Sequence, residues 1–232
     1  MPSKATEGLP DDNEGYGTRK YWEHRYTSSA SLHTKQLKTK LTTREKQGTT
    51  FDWFLTPEYL LPFVSDLYPS KESRVLMLGC GNSRLSEVMY DAGYQNIVNV
   101  DYSSTVIQDM SARHISRPQM TWYEMDVLNL QLEDGSFDLV IDKGTMDAML
   151  TSKGDPWNPP QKDVDACTKE VDEALRVLKH SPGSKFLYFT FGQPHFRKRY
   201  MTNRPDWRFT YREIGPPEGL AYFLYVLEYA SS

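Results

Sequence analysis

Val75-Leu76-Met77-Leu78-Gly79-Cys80-Gly81-Asn82-Ser83 is an apolar run of strand length that ends on a glycine turn. Four consecutive apolar residues without polar alternation describe a strand buried on both faces, as in a parallel sheet covered by helices. Gly79 and Gly81 permit positive φ and close approach of a ligand to the backbone. A helix from Ser83 to about Ala92 follows at once, closed by Gly93. A dinucleotide fingerprint needs a third Gly or Ala where this chain carries Arg84, so close helix packing over a pyrophosphate, and with it an NAD site, is disfavoured. Taken alone, the segment is also compatible with a tight turn that holds no ligand.

Downstream, strand and helix alternate. Asn96 to Val100 reads as a second strand that stops at Asp101, and Ser103 or Ser104 caps a helix reaching about Ser116. Met120 to Met125 stops at Asp126, and Phe137 to Ile141 stops at Asp142. Lys162 to Lys179 is strongly helical, Ser184 to Phe191 is a fifth strand, and Trp207 to Ile214 with Ala221 to Tyr229 forms a closing antiparallel pair. The expected fold is a three-layer α/β, Rossmann-like sheet, mostly parallel with an antiparallel C-terminal strand.

Upstream, residues 1 to 17 are polar and lack periodicity, which predicts a disordered tail. Thr18 to Ala30 reads as a helix with Tyr21, Trp22 and Tyr26 on one side, and residues 31 to 48 as a basic, exposed loop insert with too few apolar residues to bury. After the apolar cluster Phe51 to Leu55, Thr56-Pro57-Glu58 starts a helix that should run to about Tyr68. At 232 residues, 38% hydrophobic and 25% charged, residues 18 to 232 fit one domain. A net charge of -4 excludes the basic footprint of a DNA-binding protein. The two cysteines fit a reducing compartment, cytoplasmic or also nuclear, and no stretch approaches the roughly 20 apolar residues of a membrane span.

Ligands of open parallel sheets sit outside the carboxyl ends of the strands. Asp101, 22 positions after Gly79, can accept hydrogen bonds from both ribose hydroxyls of a nucleoside, with Tyr102 flanking the adenine. Asp126 can accept from the exocyclic amine of adenine while the Val127 backbone reaches a ring nitrogen. Either aspartate alone is equally readable as a helix cap. Together with the glycine turn they mark an adenosine-like ligand. No Cys/His spacing suggests a metal, and no nucleophile motif surrounds Ser83 or Ser103.

VLMLGCGNS, NVDYS, EMDV and FDLVIDKGTMDAM, in this order, resemble the seven-β-strand S-adenosylmethionine (SAM)-dependent methyltransferases. More narrowly, Tyr21-Trp22-x-x-Arg25-Tyr26, Phe51-Asp52-Trp53-Phe54, Asp142-Lys143-Gly144-Thr145-Met146-Asp147-Ala148 and Pro194-His195-Phe196-Arg197 are similar to the protein-lysine methyltransferases that group the elongation factor 1-alpha enzymes with the citrate synthase-lysine enzyme. The 31 to 48 insert departs from that pattern, whose two aromatic motifs are joined by a shorter link. The resemblance implies SAM as cofactor and a lysine of elongation factor 1-alpha as acceptor; a monomer is expected. It implies that Gly79 approaches the methionyl part of SAM beside Gly81, that Asp101 and Tyr102 hold the ribose and adenine edge, and that Asp126 and Val127 hold the base. Lys143 would lie beside the cofactor, and Trp22, Tyr26 and Trp53 would close over its methionyl end. Without the resemblance, those aromatics read as core packing of an N-terminal helix.

A lysine acceptor must lose its proton before it can attack. Asp142, at the end of the fourth strand, is the expected group to orient that amine; it could equally accept the proton or cap the following turn, and the sequence does not separate these roles. His195 and Phe196 are expected to line the acceptor channel. The basic run Arg197, Lys198, Arg199 and Arg204 reads as a solvated face. A SAM-dependent enzyme acting on a small molecule, and a catalytically silent SAM-binding partner protein, are the competing readings.

Overall fold

The computed structural model describes residues 13–36, 50, 52–216 and 218–230. Four central strands, β1 (Val75–Leu78), β2 (Ile97–Asp101), β4 (Leu139–Lys143) and β5 (Lys185–Thr190), are flanked by β3 (Met120–Glu124) at one edge. At the other edge stand β7 (Tyr222–Tyr229) and then β6 (Trp207–Ile214), giving the order β3-β2-β1-β4-β5-β7-β6. The first five strands are parallel, and β7 runs antiparallel to both of its neighbours. The chain order reverses between β1 and β4, so the switch point lies at their carboxyl ends, where Leu78 pairs with Asp142.

Successive strand residues point to opposite faces, and this alternation builds two cores. Val75, Met77, Leu139 and Ile141 pack under α1 (Arg19–Gln36), α2 (Pro57–Leu67), α3 (Leu85–Asp91) and α4 (Ser104–Arg113). Leu76, Leu78 and Val140 pack under α5 (Thr145–Met149), α6 (Gln161–Val177) and α7 (Pro194–Met201). The caps expected at Thr56 and Ser103 form, each hydroxyl accepting from a backbone N–H of the first turn. Asp101 is the last residue of β2.

Several boundaries differ from the sequence expectation. Asn13–Gly17, assigned to the disordered tail, is a 3₁₀ turn that packs Tyr16 against Tyr21 and Trp53; the Trp53 contact is distant in sequence and leaves no local periodicity. Residues 1–12 lie outside the described residues. Helix α1 continues to Gln36, so the basic insert begins as helix: no Gly or Pro interrupts residues 18 to 36, and an anchored helix propagates through polar residues at small cost. Residues 37–48 lie outside the described residues, as does Phe51. Strand β4 is shifted two residues later than expected, and Phe137 forms only an isolated bridge with Leu178. Helices α5 and α7 have no counterpart in the sequence expectation. The first has five residues, too short for a helical period, and the second is a polar segment whose only plain start signal is Pro194.

Candidate active site

Gly79 and Gly81 both have a φ of 51°. A Cβ on Gly79 would stand 2.1 Å from the Thr145 Oγ1, because register places the loop after β4 directly against the turn after β1. The Thr145 hydroxyl donates to the Leu78 carbonyl at 3.1 Å. Glycine is therefore required at 79 by the neighbouring protein chain as well as by its dihedral angle. A Cβ on Gly81 would meet the Tyr26 hydroxyl at 2.9 Å. The Gly81 N–H donates to Asp101 Oδ2 at 2.9 Å, and the Ser103 N–H donates to Oδ1 at 3.0 Å, so Asp101 braces the turn.

These groups form the floor of a cavity of about 240 Å³. Asp101, Tyr102, Asp126 and Val127 line it, as do Gly79, Gly81, Lys143 and Thr145 of the strand-end loops and the rings of Tyr16, Trp22, Tyr26 and Trp53. The rings hold one another: Trp22 stacks on Tyr26 with centroids 5.7 Å apart, tilts against Trp53 at 5.9 Å, and donates its indole N–H to the Tyr16 carbonyl at 2.7 Å. Asp52 fastens the Trp53 loop by accepting from the Ser83 hydroxyl and pairing with Lys143 Nζ at 3.4 Å. Trp53 adds its carbonyl, also 3.4 Å from Lys143 Nζ. Burial pushes the Lys143 ammonium below its usual value, partly offset by Asp52. Burial likewise pushes Asp101 up to about 6, against the two N–H groups that favour its charged form.

A second cavity, about 690 Å³, shares Tyr16 and Trp53 with the first. Asp147 of α5, Phe196 and Arg197 of α7, Phe191, and prolines 156, 159 and 160 line it.

A methyltransferase domain model matches residues 75–180. EEF1A lysine methyltransferase 4 of Mus musculus is 34% identical over 221 residues, covering 94% of this chain and 78% of that protein. The eEF1A lysine and N-terminal methyltransferase of Mus musculus is 36% identical over 193 residues, 82% of this chain and 24% of that longer protein. The chain belongs to the EEF1A lysine methyltransferase family. Its methyl donor is SAM. The fold is shared with the N-methyltransferase NodS from Bradyrhizobium japonicum, solved in complex with S-adenosyl-L-homocysteine, at 12% identity and a TM-score of 0.56 over 75% of this chain and 86% of that one.

In this methyltransferase the residues expected to bind cofactor come together: Trp22, Tyr26, Trp53, Gly79, Gly81, Asp101, Tyr102, Asp126, Val127 and Lys143 all line the first cavity. Two other expectations are corrected. Asp142 is fully buried and lines neither cavity; its Oδ1 accepts from the Thr145 N–H at 2.7 Å and its Oδ2 from the Met146 N–H at 3.0 Å. The alternation along β4 turns Asp142 toward α6 and Lys143 toward the cavity, so of the open roles it fills that of cap. Burial there pushes Asp142 up to about 7 and Glu170 of α6 well above the usual carboxylate range. His195 also lines neither cavity; it is exposed and stacks on Trp157 at 4.8 Å, because α7 buries Arg197, Tyr200 and Met201 and turns His195 outward. Phe196 does line the second cavity.

Tyr16 and Asp147 also line the cavities, and local sequence does not announce either. Tyr16 gives no signal in an aperiodic segment. Asp147 stands in plain view five positions after Asp142, but only the turn of α5 distinguishes their surroundings.

Proposed function

We propose that this chain transfers the methyl of SAM to the side-chain amine of a lysine in translation elongation factor 1-alpha (eEF1A), in the cytoplasm. The observation that carries the reading is the pair of adjoining cavities, one suited to SAM and one to a long side chain, with Tyr16 and Trp53 common to both. The named relatives are eEF1A lysine methyltransferases, which supports the choice of acceptor.

The residues of the first cavity suit the cofactor. The Asp101 carboxylate keeps lone pairs for ribose hydroxyls while bracing Gly81, and the exposed Asp126 and buried Val127 offer acceptor and backbone groups to a base. Bound SAM supplies an electrophilic methyl on a sulfonium. The ring faces of Tyr16, Trp22, Tyr26 and Trp53 favour positive charge and exclude water around the reacting centre. Lys143, held by Asp52, closes the floor without reaching the second cavity. A lysine amine has an ordinary pKa near 10.4, and entry into a partly dry cavity beside positive charge favours its neutral, nucleophilic form.

Incubation with methyl-labelled SAM and cell extract, followed by mass spectrometry, tests the reading. The expected result is label on a lysine of eEF1A. Label confined to small metabolites overturns lysine methylation, and label on another protein replaces the acceptor.

A further inference from the structure

Of the two aspartates in Asp142-Lys143-Gly144-Thr145-Met146-Asp147, we infer that Asp147 receives the acceptor amine in the second cavity. This rests on the lysine-methylation reading and names the residue that serves it. Both oxygens of Asp142 are committed to backbone N–H groups behind the site. Asp147 is 4% exposed, and its Oδ1 accepts from the Thr190 hydroxyl and from Arg197 Nη2, each at 2.7 Å. Its Oδ2 is buried with no partner among the described residues. A carboxylate kept from water with half of its acceptor capacity unused is costly.

A clamp built for stability would pair the guanidinium fork with both carboxylate oxygens. Here the fork is divided: Arg197 Nη2 goes to Asp147, and Nε donates to the Tyr188 hydroxyl at 3.1 Å. Thr190 is fixed in turn, since its hydroxyl accepts from the Gly192 N–H at 2.7 Å. The pair is thus rigid, and Oδ2 is left over. Glu170 also carries buried oxygens, but it faces Asp142 behind the site and lines neither cavity.

Helix α5 is the partition: Thr145, Ala148 and Met149 line the cofactor cavity, and Asp147 and the adjoining Leu150 line its neighbour. Oδ2 is covered in the structure, so an amine entering past Phe196 reaches it when the covering side chains give way, and one N–H donated to Oδ2 then orients the amine's lone pair. Arg197 keeps the site near neutral and, with the sulfonium, disfavours the ammonium form. The acceptor sheds a proton to solvent before reaction. Its nitrogen then forms the N–C bond as the S–C bond breaks, the bonding pair stays on sulfur as a thioether, and the methylated ammonium later releases a second proton. Asp147 touches the nucleophile; Arg197 and Thr190 position Asp147.

The test compares wild type with Asp147→Asn, which replaces one acceptor oxygen by a donor, and Asp147→Glu, which keeps the charge facing Arg197 but moves the free oxygen. SAM affinity is read by calorimetry, and methyl transfer is read at several pH values on whichever protein wild type labels in extract. Expected are SAM affinities within about threefold of wild type and a kcat lowered about 100-fold or more in Asp147→Asn, not restored at high pH. If Asp147→Asn does not fold, Asp147→Glu decides, with a kcat at least about tenfold lower expected. A folded, SAM-binding variant with kcat within about threefold of wild type overturns the assignment. Wild-type label on a protein other than eEF1A sinks the acceptor reading and leaves this comparison intact; no labelled protein at all sinks both.

Discussion

The two cavities meet at Tyr16 and Trp53, yet they are built in different ways. The cofactor cavity rests on strand ends: the turn after β1 supplies Gly79 and Gly81, β2 Asp101, and β4 Lys143. Each such residue is placed by the register of a parallel ladder, so a motif and its geometry travel together. The acceptor cavity rests on α5, α7 and prolines 156, 159 and 160, joined by the Asp147–Arg197 pair across 50 positions of sequence. The floor of one site is set by strand register and the wall of the other by the buried Asp147–Arg197 pair with its partners Thr190 and Tyr188, which makes their responses to substitution separable.

The largest effect is expected in the second cavity. Arg197→Met leaves Asp147 buried without its cation, a loss of about 3 to 5 kcal/mol in unfolding free energy. Denaturant titration checks it, and a loss below about 1 kcal/mol would mean that the pair is not what holds α7 to α5. Gly79→Ala breaks the first cavity at its floor. The added Cβ meets Thr145 with φ at 51°, and about 2 to 4 kcal/mol of stability should go, together with SAM binding. A crystal structure with Thr145 swung aside at no cost in melting temperature would refute the packing account.

Asp101→Ala should weaken SAM binding by about 1 to 3 kcal/mol and leave the Asp147–Arg197 pair untouched. Calorimetry showing unchanged affinity would remove Asp101 from the site. A separate effect is on pH dependence. With its folded pKa raised to about 6 from an ordinary 3.8, Asp101 takes up a proton in the folded chain before the unfolded one. Its buried charge therefore lowers stability fully above about pH 6, and that penalty is relieved as pH falls from about 6 to about 4. Asp101→Asn should flatten this component; an unchanged slope of stability against pH over that range would mean that another group carries it.

Much of this contrast is legible in the sequence. The runs ending on Gly79, Asp101 and Asp126 announce parallel strands and a nucleoside site, since the two central strands are mostly apolar and each run stops at a glycine or an aspartate. Asp142 shows where such reading stops. It follows an apolar run just as Asp101 does, but the alternation along β4 puts it on the face of Val140, under α6, where it is fully buried. Arg197 shows the same limit from the other side: inside a run of basic residues it reads as solvated, and only its partners Asp147 and Tyr188 account for its burial.

Local sequence alone determined the alternation of strands and helices, the glycine turn and the adenosine-like character of the ligand site, because each depends on periodicity or on dihedral freedom within a few residues. Tertiary structure alone decided which aspartate caps a helix and which faces the second cavity, that Tyr16 joins the aromatic wall, and that His195 lies outside. Those outcomes depend on strand register and on partners dozens of residues away, and the free energy of a buried carboxylate is set by what surrounds it rather than by its neighbours along the chain.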